Sequence, residues 1–142
     1  MRLSTRTRYG TRVVISLACH WSMGALPLSI ISKEQELSVK YLEQIMCLLK
    51  SGNIVRSTRG SKGGYTLTRA PELIKMSEVF ICLEGPISTV DCIQDDKPCN
   101  RISFCRVRPV WKRLNDTIRS VLEDTTLQDL ISNNLTCSDL GA

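Results

Sequence analysis

The segment that most constrains the fold of this chain begins at Leu28 and reads LSIISKEQELSVKYLEQIMCLLK. Its apolar residues recur at helical spacing in two blocks, which predicts one helix from Ser29 to Glu34 and a second from residue 39 to about residue 50. Residues 35–37 are the predicted turn, Ser38 is the predicted cap of the second helix, and Gly52 the predicted stop. That helix has a predicted buried stripe at Leu42, Ile45, Met46 and Leu49, and a polar outer face at Lys40, Tyr41, Glu43 and Gln44.

A β-hairpin is predicted directly after this helix pair. Two β-prone runs, residues 54–58 and 65–68, enclose the turn-rich sequence RGSKGG. Two short helices with a tight turn, followed by a hairpin, predict a winged helix-turn-helix. The glycines let the tip of the wing enter a narrow groove beside Arg59 and Lys62. Hairpin tips elsewhere use the same residue types, so this interpretation depends on the preceding helices.

Charge is distributed unevenly along the chain. Residues 1–69 carry eleven Lys and Arg against three Glu, a net charge of +8, whereas residues 70–142 carry eight against eleven acidic residues, a net charge of −3. The basic half suits a polyanion such as DNA, although a face that only keeps the protein soluble has the same signature. A first amphipathic helix is predicted from Arg6 to Trp21, with Ser4 or Thr5 as its cap. Arginines that could contact phosphates cluster at its start, at Arg2, Arg6, Arg8 and Arg12.

The second half predicts a linking helix, a loop and a long helix. The linking helix lies within residues 71–83, with Ser77 as its predicted cap and Val79, Phe80 and Leu83 turned inward. After the loop, apolar residues recur at alternating spacings of four and three, the pattern of a coiled-coil seam. We expect this helix to form a homodimer, with packing on its own domain as the alternative. The predicted dimerisation residues are Val107, Trp111, Leu114, Ile118 and Val121.

These elements predict a mainly α chain with a small β-hairpin wing. The expected parts are a winged-helix DNA-binding domain at residues 1–70, a linking helix at 71–90 and a cysteine loop at 91–106. Residues 107–132 are expected to form a dimerisation helix and a short C-terminal helix, the latter capped by Thr125 or Thr126. Residues 133–142 are expected to be a flexible tail. No apolar run is long enough to cross a membrane and residues 1–25 lack a signal peptide, so we expect a cytoplasmic protein.

Three of the seven cysteines, Cys92, Cys99 and Cys105, fall within fourteen positions of the loop. In a reducing compartment, clustered thiols are ligands or sensors more often than disulfides. The spacing lacks the CxxC pairs of zinc ribbons and suits a larger soft centre such as an iron-sulfur cluster. Zinc with a fourth ligand and a metal-free thiol switch remain alternatives. Of the other cysteines, Cys19, Cys47 and Cys82 are expected to be buried small hydrophobes and Cys137 a bystander in the tail.

The chain resembles the iron-sulfur winged-helix repressors of the IscR, NsrR and RirA family, the Rrf type, over nearly its whole length. The resemblance rests on MRLSTRTRYG, on LSVKYLEQIMCLLKSGNIVRSTRGSKGGYTL, on the three-cysteine loop and on TLQDLI. It implies that the three loop cysteines bind a 2Fe-2S or 4Fe-4S cluster and that residues 39–44 face DNA. It also implies that Arg59, Gly60 and Lys62 form the wing tip. Glu43 matches a glutamate that reads or rejects bases, the alternative being an ordinary exposed residue.

The fourth cluster ligand departs from that family. The IscR type supplies a histidine three positions after the last cysteine, where this chain has Arg108. The NsrR type supplies an aspartate near the N-terminus, where this chain has Arg8. Neither cation can bind iron. The remaining candidates are His20, which a core or surface role also explains, Glu84, Asp91, Asp95 and a small exogenous molecule, or the position is open.

We therefore expect a homodimeric transcriptional regulator, acting as a repressor, that binds a palindromic operator in double-stranded DNA. An iron-sulfur cluster that senses iron, oxygen or nitric oxide is expected to control this binding. A zinc- or thiol-based sensor on the same fold and an iron-sulfur carrier protein are the alternatives. A carrier would bind DNA weakly and without sequence preference. One histidine, no nucleophile-base motif and no phosphate loop predict that the chain is not an enzyme.

Overall fold

The computed structural model describes residues 2–94 and 99–132. Within these ranges the chain forms seven α-helices and one two-stranded antiparallel sheet. The helices are α1 (Thr5–Cys19), α2 (Leu28–Gln35), α3 (Val39–Ser51), α4 (Met76–Glu84), α5 (Asp91–Gln94), α6 (Arg108–Asp124) and α7 (Leu127–Ser132). The strands are β1 (Val55–Thr58) and β2 (Gly64–Leu67), and short 3₁₀ turns lie at Trp21–Met23 and Pro71–Leu73. The predicted mainly α fold with a β-hairpin wing is confirmed.

The helix-turn-helix, α2 and α3, packs on α1 through one apolar core. The predicted stripe of α3, Leu42 to Leu49, is fully buried and shares this core with Val13 and Leu17 of α1. Burial of each such side chain contributes roughly 1.5–3 kcal/mol, which makes the stripe the main anchor of α3. Glu36 closes the turn in a left-handed conformation, and Ser38 caps α3 as predicted.

The wing is attached to this core at its base. Val55 pairs with Leu67 across the hairpin, and both side chains are buried. Leu26 and Tyr65 exchange backbone hydrogen bonds of 2.8 and 2.9 Å, which ties the wing to the segment before α2. Gly64 permits this approach, because a Cβ at that position would lie 2.5 Å from the carbonyl carbon of Leu26.

Replacing Gly64 with alanine is expected to lower the free energy of unfolding by about 3 kcal/mol, since it combines backbone strain with a steric clash. Gly64 has a φ of 151°, and the atoms that its Cβ would meet belong to the backbone, which cannot move aside as a side chain can. Urea denaturation measures the loss. Gly60→Ala is the matched control: Gly60 also has positive φ, but nothing lies within 4 Å of its Cβ position. Equal losses in the two variants would contradict the steric argument.

The C-terminal helix returns to the N-terminal unit. Leu127 of α7 is fully buried in the core that α1 and α3 share. The Met76 N–H donates to Thr125 O at 2.8 Å, and the Leu127 N–H donates to Ile74 O at 3.0 Å. Thr126 caps α7, and its N–H donates in turn to Asp129 at 2.8 Å. The long helix α6 therefore has its C-terminal end fixed to the winged-helix unit.

One of two predicted helix caps differs from the structure. Helix α4 begins at Met76 and not behind a Ser77 cap: Ser77 is buried in the first turn, and the Glu78 carboxylate accepts the Lys75 N–H at 3.1 Å. Gly52 caps the C-terminal end of α3, where the sequence predicted the helix to stop. The left-handed conformation that follows many helices belongs to Asn53, with a φ of 56°.

The prediction for one helical cysteine is wrong. Cys47 is exposed, because it lies one turn after Glu43 on the polar face of α3. Cys19 and Cys82 are half-buried, and Cys82 packs against the core, closer to the expectation. The Cys82 thiol donates to Leu48 O at 2.8 Å, and desolvation by burial raises the pKa of this thiol. Cys137 and the rest of the predicted tail lie outside the described residues.

Candidate nucleic-acid interface and cysteine loop

The outer face of α3 carries polar side chains. Lys40, Glu43 and Gln44 are exposed, as is Ser38 at the helix cap. Tyr41 is only half-exposed, because its ring meets the ring of Tyr9 from α1 edge-on at a centroid distance of 6.2 Å. A helix that offers a cation, a carboxylate and an amide from one face has the donors and acceptors that read base edges in a major groove.

Helix α1 supplies a basic surface beside α3. The guanidinium carbons of Arg8 and Arg12 lie 5.9 and 5.4 Å from the centre of the Tyr9 ring. Arg12 also donates to the side-chain and backbone oxygens of Gln35, at 3.0 and 3.2 Å, and so ties α1 to the turn between α2 and α3. The spacing of four residues from Arg8 puts Arg12 on the same face of α1. Arg2 is exposed just before α1.

The wing tip projects cations away from the core. Residues 59–62, which include Arg59 and Lys62, are all exposed. A hydrogen bond of 3.0 Å from the Gly63 N–H to Gly60 O closes the tip turn. The φ of 111° at Gly60 shows that glycine there meets a backbone requirement. The tip is therefore positively charged and narrow enough to enter a DNA groove.

Replacing both Arg59 and Lys62 with alanine is expected to weaken binding to duplex DNA about ten- to hundredfold, whatever its sequence. The slope of log affinity against log salt should become shallower by about two, because each lost phosphate contact removes about 0.9 released counterion. Fluorescence anisotropy titrations at several salt concentrations measure both effects. Lys112→Ala combined with Arg119→Ala removes two cations from α6 and should leave the slope as it is. An unaltered salt dependence in the wing variant would show that the wing tip does not contact the DNA phosphates.

The cysteine loop lies between α4 and α6. Cys92, in α5, and Cys105 are half-buried, Cys99 is exposed, and all three thiols are free. In the ranges 2–94 and 99–132, no group of three His, Cys, Asp or Glu side chains is placed to hold a metal ion. The three-cysteine metal site therefore stays a prediction that rests on the type of donor and not on observed convergence.

Arg108 lies at the end of the loop, in the first turn of α6. Its Nη2 donates to the Cys92 carbonyl at 3.5 Å, while its Nε is buried without a hydrogen-bond partner among the described residues. A buried guanidinium N–H without an acceptor favours an anionic neighbour, because charge-assisted hydrogen bonds are the strong ones. The donor chemistry of this loop, three free thiols and a cation, therefore fits a negatively charged thiolate centre.

The other candidates for a fourth ligand are engaged or exposed. His20 lies at the C-terminal end of α1, with Nδ1 2.8 Å from Ser16 O and Nε2 3.8 Å from the carboxylate of Glu34. The carboxylate of Glu84 is hydrogen-bonded to the first turn of α1. Asp91 is exposed at the start of α5. Asp95 lies outside the described residues.

The predicted seam of α6 is largely exposed in the single chain. Val107, Trp111, Leu114 and Val121 are each at least 36% exposed. Ile118 is half-buried and lines an apolar hollow of about 320 Å³ together with Leu3 and Phe80. A contiguous apolar stripe of this kind on one helix marks a surface that associates.

On another face of α6, Asn115 is buried and its Oδ1 accepts the Thr89 N–H at 3.2 Å. This contact fixes the segment before the cysteines to the long helix. None of the helices in the described parts of the chain is long and apolar enough to cross a membrane.

A capped recognition helix, a basic wing and an exposed helical seam define a winged-helix, DNA-binding transcriptional regulator. Residues 3–133 match the Rrf2 family, described as "Iron-dependent Transcriptional regulator". The chain belongs to this family. The predicted family and the expectation of a regulator and not an enzyme are therefore confirmed.

Relatives and a solved structure agree with this assignment. The HTH-type transcriptional regulator CymR of Bacillus subtilis is 38% identical over 132 residues, which cover 93% of this chain and 91% of CymR. The HTH-type transcriptional regulator IscR of Erwinia tasmaniensis is 32% identical over 133 residues, 94% of this chain and 80% of IscR. The structure of CymR, the global cysteine regulator of B. subtilis, matches with a TM-score of 0.78 at 36% identity and covers 95% of this chain and 99% of CymR.

Proposed function

We propose that the chain is a homodimeric cytoplasmic repressor. Its affinity for a palindromic operator depends on whether Cys92, Cys99 and Cys105 hold a cluster or are oxidised. The position of the cysteine loop carries this proposal. The loop follows the segment that leaves α4 and ends at the first turn of α6, and Asn115 holds the segment just before the loop against α6. A chemical change in the loop would therefore act on the helix that sets the distance between two DNA-binding units.

Operator spacing explains how such a change alters affinity. Two winged helices that face successive half-sites must place their recognition helices one helical turn or more apart. Helix α6 packs on α4, and the hydrogen bonds of Thr125 and Leu127 fix its C-terminal end to the winged-helix core. A shift of α6 against the core therefore changes the spacing of the two α3 helices, and a small shift at one interface moves both units.

An iron-sulfur cluster, 2Fe-2S or 4Fe-4S, is the proposed cofactor. The family description as iron-dependent and the similarity to IscR support it. Cys92, Cys99 and Cys105 would hold it, and the buried Nε of Arg108 would donate a hydrogen bond to the anionic centre. When bound, the cluster supplies iron that reacts with oxygen or nitric oxide.

A thiol-based sensor is the second candidate. The observation that favours it is the exposure of Cys99, whose thiol a dissolved oxidant can reach, with Cys92 and Cys105 in the same loop. The similarity to CymR, named a global cysteine regulator, points the same way. In this case oxidation of the thiols, and not loss of a metal, would displace the loop.

Anaerobic purification tests the two candidates. We expect a coloured protein whose absorbance spectrum, iron content and sulfide content show a cluster, and which binds the operator before but not after cluster removal. A colourless protein whose operator binding responds reversibly to a thiol oxidant would identify the thiol sensor. A zinc-loaded protein would rule out the cluster. Weak binding to all DNA sequences would indicate the carrier protein that the sequence left as an alternative.

A further inference from the structure

A single carboxylate oxygen joins the end of α4 to the beginning of α1. Oε2 of Glu84 accepts hydrogen bonds from the Ser4 N–H at 3.3 Å, from Ser4 Oγ at 2.6 Å and from the hydroxyl of Thr7. One residue earlier, Leu83 O accepts from Nε of Arg6 at 2.8 Å. Ser4 is the N-terminal cap of α1 and Thr7 is buried. This Glu84–α1 contact therefore fixes an ordered first turn and not a loose terminus.

The location of this carboxylate is unfavourable within its own helix. A helix carries partial negative charge at its C-terminal end, which repels an anion, and partial positive charge at its N-terminal end, which attracts one. Glu84 is the last residue of α4, yet its carboxylate lies at the N-terminal end of α1. The hydrogen bonds from Ser4 and Thr7 hold the pKa of Glu84 below its ordinary value, so the group is charged at neutral pH. It is therefore α1, and not α4, that the charge of Glu84 stabilises.

The Glu84–α1 contact lies between the segment that enters the cysteine loop and the arginines at the start of α1. Gly85 follows Glu84 with a φ of 102° and turns the chain out of α4. Four residues later, Thr89 is bonded to α6 and leads into the cysteine loop. On the other side, the exposed side chains of Arg2 and Arg8 flank the first turn of α1. The contact thus links the chain that enters the loop to the arginines predicted to touch DNA.

We propose that Glu84 is a positioning residue that sets how the first turn of α1 presents Arg2 and Arg8 to the DNA backbone, and that it transmits the state of the cysteine loop to that turn. The inference rests on the proposed function and deepens it by naming the residue that carries the signal within one chain. If the C-terminal end of α4 shifts, Ser4 and Thr7 shift as well, because both are hydrogen-bonded to Glu84. A capping role alone would stabilise α1 without connecting it to the loop.

The first test measures this connection in the full chain without DNA. Ser4→Ala combined with Thr7→Val removes both hydroxyl donors and leaves α4 and the cysteine loop unaltered. We expect amide hydrogen exchange to rise about threefold or more in peptides covering residues 86–94, because the end of α4 loses two of the hydrogen bonds that anchor it. Unchanged exchange there would overturn the proposal, whether or not the protein binds DNA.

The second test measures operator affinity by fluorescence anisotropy. Glu84→Ala removes the acceptor and is expected to weaken binding about tenfold, within the usual range of coupling between sites. Glu84→Gln keeps an acceptor oxygen and should restore affinity to within about threefold of wild type. Glu78→Ala is the matched control, because it also removes a carboxylate from α4. The Glu78 carboxylate accepts hydrogen bonds from Arg69 and Lys75 and none from α1.

Wild-type affinity in Glu84→Ala, or an equal loss in Glu78→Ala, would overturn the proposal. Thermal unfolding of each variant shows whether a loss of affinity merely follows a loss of folded protein. If wild type itself fails to bind operator DNA, the proposed function is wrong, and the exchange measurement then decides on the Glu84–α1 contact alone. The two failures are therefore distinguishable.

Discussion

A chain with glutamate at both Leu114 and Val121 is expected to be monomeric and to bind a palindromic operator about a hundredfold more weakly, or worse, than wild type. Leu114 and Val121 are 42% and 60% exposed in the single chain, so the substitutions leave its own core intact. In a dimer built on the seam of α6, the same positions are buried. A carboxylate buried there without a partner must lose its hydration, which opposes association.

The loss of operator affinity follows from the loss of the dimer. In a dimer, binding of the second half-site is an intramolecular event, which multiplies the overall affinity by an effective concentration. A monomer lacks this gain but keeps its recognition helix and wing. Sedimentation equilibrium measures the oligomeric state, and anisotropy measures affinity for the full operator and for one half-site. We expect the variant to lose affinity for the full operator and to keep its affinity for the half-site.

Lys112→Gln combined with Arg119→Gln is the charge-matched control. It changes the net charge by the same two units on α6, at exposed positions outside the seam. This control should stay dimeric and bind the operator as wild type does. If Leu114→Glu with Val121→Glu stays dimeric, the subunits associate through some other surface.

The sequence predicted α3 and the wing well because local rules determine both. The stripe from Leu42 to Leu49 recurs at helical spacing, and Ser38 and the glycines of the hairpin mark the ends of these elements. The exposure of Cys47 could have been predicted by the same rule, since it is four residues from Glu43 on the polar face. The mistaken Ser77 cap has a different cause: the first-turn Glu78 N–H, which a capping hydroxyl would accept, donates instead to Lys75 O at 3.1 Å.

The contacts that connect the candidate sites were not predictable in this way. Ser4 and Glu84 are eighty positions apart in the chain and meet only because α1 and α4 pack together. Asn115 resembles any polar residue on an amphipathic helix until the fold places Thr89 beside it. Periodicity assigns residues to the faces of one helix, whereas such contacts depend on how two helices are placed against each other. The three-cysteine loop has no periodicity, so its sequence indicates donors without their arrangement.

Serine at Cys92, Cys99 and Cys105 together is expected to abolish the response of operator binding to the redox state of the protein while the fold is kept. In wild type we expect affinity to differ between anaerobic and oxidised protein by roughly 5- to 150-fold, the usual range of coupling between two sites. In the triple variant the ratio should be close to one. Serine is close to cysteine in size but has no thiolate, so it can neither hold iron nor be oxidised. The prediction therefore holds for a cluster and for a thiol sensor alike.

Cys47→Ser is the control that separates the loop from the recognition helix. Cys47 is also a free, exposed thiol, but it lies on the polar face of α3, next to the residues predicted to read DNA. Oxidation of Cys47 would obstruct the groove directly, without any movement of α6. If the triple variant kept its response and Cys47→Ser lost it, the sensing thiol would lie in the DNA interface and the proposed path through the loop would be wrong. We expect the opposite pair of results, because the loop cysteines lie where α4 and α6 are joined.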